Sequence, residues 1–175
     1  PTASLMTYVM GLDAAKTRRA TEAEQKEMQR LLHEGMDAGL CGFSLQRLGR
    51  HSGQADYDGS PMVTDTMCDE DILILADVLR ARNEGFVQIT QATGHIKEDL
   101  AFVEKLAATA QRPILHNAIA ASKRDADIHR KSIAWLEKAR ADGLPIYGQT
   151  ATVRSGFAFT LEHWNLYDVS AAWRD

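Results

Sequence analysis

The chain has 175 residues, 45% apolar and 25% charged, with a formal net charge of −4. That is the make-up of one globular domain with a true core. Scattered basic residues give no electrostatic footprint for nucleic acid, and no apolar run approaches the ~20 residues of a membrane span, so neither partner is expected.

Residues 5–11 are apolar and fit either the tail of a strand or a short helix. Thr21-x-x-Glu24 is a capping box, and the helix behind it carries Met28, Leu31, Leu32 and Met36 on one face, with Gly39 at its C-cap. A short apolar strand, 40–44, comes next. The polar loop that follows, 47–66, holds His51-Ser52-Gly53-Gln54 and Asp56-Tyr57-Asp58-Gly59-Ser60-Pro61. Long loops in compact domains are functional or disordered, so a substrate loop and a solvated excursion both fit. A second helix, 69–82, turns Ile72, Leu75, Ala76 and Leu79 inward and leads to a strand at 86–91. A third, 97–110, with Leu100, Val103 and Leu106 inward, leads to a strand at 113–117. The fourth, 127–141, buries Ile128, Ile133, Leu136 and Ala139 and leads to a strand at 145–150. Residues 152–175 are aromatic and irregular (Phe157, Phe159, Trp164, Tyr167, Trp173), as in a segment that lies over something else.

Alternating helix and buried strand is the pattern of an α/β fold with a parallel sheet. Four consecutive β/α units make about half of a TIM-like (β/α)8 barrel, whose closed form needs ~250 residues. Pro1 stands where an initiator Met would, as in a segment of a longer protein or one processed at both ends, and the whole chain, 1–175, reads as a partial barrel domain. An open half-barrel leaves two sheet edges and an apolar face. Its expected partners are the rest of the barrel or a second copy, besides a small-molecule substrate. Cys41, in a strand-like run, reads as a small buried hydrophobe. With Cys68 in a different context there is no disulfide framework, and the cytoplasm is the default compartment.

In parallel sheets chemistry collects at the carboxyl ends of the strands. Ser44, Gln88, Thr90, His116 and Gln149 are expected to gather there, with Asn117 beside them. His116 is either a metal ligand or proton carrier, or a hydrogen-bonded structural residue. Arg47 fits a bidentate carboxylate contact as well as a cap or salt bridge. Tyr57 is the aromatic of the substrate loop. Gly42-Phe43-Ser44 is no nucleophile elbow, since Gln46 stands where G-x-S-x-G needs its last glycine.

Longer strings are more specific. Tyr8-Val9-Met10-Gly11, Arg19-Ala20-Thr21-Glu22-Ala23-Glu24, Gly42-Phe43-Ser44-x-x-Arg47-Leu48-Gly49 and Asp56-Tyr57-Asp58-Gly59-Ser60-Pro61-Met62 are followed by Arg112-Pro113-Ile114-Leu115-His116-Asn117, Ile146-Tyr147-Gly148-Gln149 and Phe159-Thr160-Leu161-Glu162-x-Trp164-Asn165-Leu166. In order, they resemble the N-acyl-D-amino-acid deacylase (D-aminoacylase-like) branch of the amidohydrolase superfamily. The resemblance implies a metal-dependent hydrolase of non-peptide carbon–nitrogen bonds. It also implies zinc or another divalent metal, held by histidines after the first, fifth and sixth barrel strands. This chain would supply strands four to seven, with His116 matching the sixth-strand ligand. The first-strand H-x-H and the eighth-strand aspartate would lie outside it. One departure stands out: the family carries Thr-His-Arg at the fifth strand end, where this chain reads Gln88-Ile89-Thr90-Gln91. The alternative implied is a catalytically altered or inert barrel that keeps the small-molecule pocket.

Overall fold

The computed structural model describes residues 1–121, 125–150, 158–163 and 165–173. Four parallel strands, β1 (Gly42–Arg47), β2 (Phe86–Gln91), β3 (Ile114–Asn117) and β4 (Ile146–Gln149), lie side by side in chain order. The helices α1 (Thr2–Met10), α2 (Leu12–Thr17), α3 (Glu22–Asp37), α4 (Asp69–Arg82), α5 (Ile96–Ala110) and α6 (Ile128–Ala141) surround them. The apolar stretch at 5–11 resolves as most of α1. The sheet is open, as expected for part of a barrel.

Local chemistry explains where the elements begin and end. At the start of α3, Thr21 Oγ1 accepts from the Glu24 N–H and a Glu24 carboxylate oxygen accepts from the Thr21 N–H at 2.7 Å. This reciprocal pair satisfies two otherwise orphaned donors. At its other end Gly39 adopts φ +105°, and the Gly39 and Leu40 N–H groups return to the carbonyls of Met36 and Gly35. That Schellman closure aims the chain into the sheet. β1 begins at Gly42 rather than at residue 40. A Cβ there would sit 1.9 Å from the Phe86 carbonyl oxygen, so only glycine lets β1 pair with β2 at that point.

The core lies between the sheet and α3, α4 and α5. Phe43, Leu45, Val87, Ile89, Ile114 and Ile146 project from the strands into it and meet Ile72, Leu75, Leu79, Val103 and Leu106. Each such side chain stabilises the fold by roughly 1.5–3 kcal/mol relative to exposure. Met28, Leu32 and Met36 are the buried face of α3.

Three expectations are corrected. Ile133 is exposed, Ile128 and Leu136 are only half-buried, and Ala139 is the buried residue of α6. Helix α6 packs on β4, the last strand of the sheet, so only part of its apolar stripe is covered. Leu31 and Leu100 are likewise half-buried. Cys41, at the turn before β1, is exposed. In the terminal segment, Phe159 and Tyr167 meet edge-on at 5.3 Å and Tyr167 meets Trp173 at 5.2 Å, so these aromatics pack on one another. Phe157 and Trp164 lie outside the described residues.

The loop after β1 is tied at several points. The Asp65 carboxylate accepts from the backbone N–H groups of Leu48 and Gly49. Lys16 of α2 donates to Asp56 at 2.6 Å and to Ser60 at 2.7 Å, and Thr66 donates to the Ala15 carbonyl at 3.0 Å.

Candidate functional site

Pleating sends alternate residues of each strand to opposite faces. On the face away from α3, α4 and α5, Ser44 lies level with Gln88, Gln46 with Thr90, and Thr90 with Asn117. Together with Thr2 and Thr64 these residues line a cavity of about 340 Å³. Ser44, Gln88, Thr90 and Asn117 are half-buried, and among the described residues none gives their side chains a hydrogen-bond partner. Each primary amide offers two donors and an acceptor, and each hydroxyl offers both roles. Such a row can pair with the N–H and C=O of an uncharged amide, and leaving it unpaired is unfavourable. Gln149 continues the row onto β4, opposite Asn117, but is exposed. Tyr57, 65% exposed, is not on the cavity wall.

Two expected members face the other way. Arg47 is in phase with Phe43 and Leu45 on the helical side. Its guanidinium donates to Asp69 at 2.7 Å and to Gln91 at 3.1 Å, and lies 4.3 Å over the Phe102 ring. Arg47 thus forms an internal bridge, the salt-bridge alternative of its two sequence-based readings. His116 is level with Ile89 and shares its face. The imidazole is 8% exposed and lies edge-on to Trp135 of α6, with its Nδ1 buried and without a hydrogen-bond partner. Burial pushes its pKa below the ordinary 6.5, partly opposed by the charge of Asp99, so the ring is held neutral. His116, level with Ile89, lies between the levels of Gln88 and Thr90 but not on their face, and Ser44 and Gln88, each the third of six strand residues, sit mid-strand rather than at the carboxyl ends.

Between these groups runs a buried polar bridge. Gln91 accepts from Arg47 and donates to Asp99 at 2.7 Å; Asp99 also accepts from the Thr93 backbone at 2.9 Å and hydroxyl at 2.8 Å. An amide suits this position because it can accept from a cation and donate to an anion at once.

These donors do not fit a resident zinc. Such sites draw on imidazole, thiolate or carboxylate, whereas the cavity row consists of neutral amides and hydroxyls. Among the described residues no three of His, Cys, Asp and Glu come together as a ligand set. His116 turns toward the helical layer.

Sequence reasoning missed Gln46, Thr64 and Thr2. Gln46 follows Ser44 by one pleat and was legible once β1 is carried to Arg47. Thr2 donates to the Ser44 carbonyl at 2.9 Å from 42 residues away, and no local signal marks such a contact.

No protein-family model and no curated protein sequence matches the chain. Solved structures do resemble it. A D-aminoacylase mutant in complex with copper chloride superposes with a TM-score of 0.69 at 17% identity, covering 88% of this chain and 30% of that one. A D-aminoacylase described as defining a novel subset of amidohydrolases gives 0.68 at 16%, with coverages of 88% and 30%. The N-acyl-D-glutamate deacylase from Bordetella bronchiseptica, complexed with zinc and a phosphonate mimic of the tetrahedral intermediate, gives 0.62 at 19%, with 82% and 28%. Among the described residues no helix is long and apolar enough to cross a membrane. The chain has the α/β fold of a segment of the D-aminoacylase-type amidohydrolase barrel, and spans about 30% of the length of those proteins.

Proposed function

We propose that the protein to which this chain belongs hydrolyses a non-peptide carbon–nitrogen bond in a small molecule of the N-acyl-D-amino-acid class. In this reading residues 1–175 are four consecutive units of its catalytic barrel, working in the cytoplasm, where the free thiols of Cys41 and Cys68 suit a reducing compartment. The supporting observation is the unpaired row of Ser44, Gln88, Thr90 and Asn117 on the barrel-inward face. These side chains bind and orient: the amides of Gln88 and Asn117 hold the substrate amide in plane, and the hydroxyls of Ser44 and Thr90 complete its hydrogen bonds. The proton and metal chemistry implied by the resemblance is not assigned to residues of this chain.

A second reading, a small-molecule-binding barrel with altered or lost chemistry, is favoured by the string Gln88-Ile89-Thr90-Gln91, which holds no histidine where the resemblance calls for one, and by Gln91, which is taken up in a bridge between Arg47 and Asp99. The full-length protein separates the two when its release of free amino acid from N-acetyl-D-amino acids is measured alongside ligand binding and metal content. Hydrolysis that falls at least about tenfold in Gln88→Leu, the loss of one or two substrate hydrogen bonds, supports the first. Saturable binding without turnover supports the second, and neither binding nor turnover overturns both.

A further inference from the structure

A second cleft, of about 580 Å³, opens between the segments that follow β1 and β2. Arg50 and His51 come from one wall and His95 from the other. All three are exposed, and among the described residues none offers their side chains a hydrogen bond or an ion pair. No Asp or Glu lines the cleft, although the chain as a whole carries a net charge of −4. Arg30, Arg80 and Lys138, on exposed helix faces, each pair instead with an acid on their own helix or at its end; what sets the cleft apart is that it gathers three such groups with no acid in its lining.

Both walls are anchored from below. Asp65 accepts from the backbone N–H groups of Leu48 and Gly49, immediately before Arg50, and Asp99 accepts from the Thr93 N–H, two residues before His95. The Ala92 N–H donates to the Arg47 carbonyl at 3.0 Å and ties the two segments together. Each anchoring carboxylate is engaged with backbone donors beneath the cleft and does not line it. The backbone of both segments is held in place, so binding to the three side chains need not first order it. Arg50 repels a metal cation, and a single pair of imidazoles without a carboxylate is a poor cation site. The same groups suit an oxyanion, which a guanidinium holds bidentately and imidazole N–H groups can close around.

We propose that this cleft binds the oxyanion of a small molecule, a carboxylate or a phosphate, between Arg50, His51 and His95. The site is separate from the amide row on the open sheet face and does not rest on the hydrolase reading. The test uses the full-length protein titrated calorimetrically with inorganic phosphate and, separately, with acetate. Saturable binding of at least one anion is expected, weakened about tenfold or more in Arg50→Gln and in the double variant His51→Gln, His95→Gln. Arg50→Lys should recover part of the affinity, because it keeps the charge without the planar fork. Tighter phosphate assigns a phosphorylated ligand, and tighter acetate a carboxylate. Absence of saturable binding for both anions, or equal affinity in wild type and either variant, overturns the proposal. The three residues are exposed, so thermal midpoints of the variants should match wild type and exclude unfolding as the cause.

Discussion

His116 lies edge-on against Trp135, with ring centroids 5.3 Å apart and planes at 71°. Trp135 in turn donates through Nε1 to Glu104 at 2.8 Å. The histidine is thereby built into the contact of β3 with α6, and α6 is linked to α5.

The first prediction concerns that ring. Because burial lowers its pKa below 6.5, the unfolded chain takes up the proton before the folded one does. The stability His116 contributes is therefore present above about pH 6.5 and lost as pH falls toward its depressed folded value. Thermal midpoints of the full-length protein measured between pH 7.5 and 5 should fall more steeply for wild type than for His116→Phe. His116→Ala should cost about 1–3 kcal/mol at pH 7.5 through lost packing, with metal content unchanged. A loss of bound metal in that variant would instead make the residue a ligand.

Gln91 is the second target. Replacing it with Leu strands the Arg47 Nε–H and removes one of the two donors to Asp99 Oδ1, which keeps the Thr93 hydroxyl, in a largely buried setting. Denaturant unfolding should show a loss of about 1–3 kcal/mol, the scale for an abandoned buried polar partner. An unchanged midpoint would mean that water or a rearranged Thr93 replaces the bridge.

Lys16 is the third. Its side chain is 13% exposed and its ammonium holds Asp56 and Ser60 of the loop after β1, and this contact first of all keeps the Asp56 carboxyl below its ordinary pKa. Lys16→Met should speed amide exchange at Asp56 and Gly59, whose N–H groups bond within the loop. Exchange at Val87 and Ile89, in the sheet, should stay as slow as in wild type. Uniform acceleration at both places would show that the loop is not a separate unit.

Much of the fold was readable from residue patterns because the signals are local. Thr21 and Glu24 meet within one helical turn, Ile72, Leu75, Ala76 and Leu79 repeat at helical spacing, and Phe86 to Gln91 reads as a strand whose bounds match β2. What escaped depends on distant partners. The choice between a substrate contact and a salt bridge for Arg47 stayed open because Asp69 and Gln91 lie 22 and 44 residues onward. Ile133 looked buried because periodicity marks an apolar face without saying whether anything covers it. For β3, alternation places His116 with Ile114 and Asn117 with Leu115, yet both strand faces carry apolar residues. Which of the two polar residues turns to the cavity follows only from the register with β2.

The spatial order of the strands equals their order in the chain. Each strand pairs with the one synthesised just before it, so no strand must wait for a distant segment. A nascent chain can accrete one unit at a time as it leaves the ribosome. At every stage the newest strand is the template for the next, and growth is vectorial, from β1 toward β4.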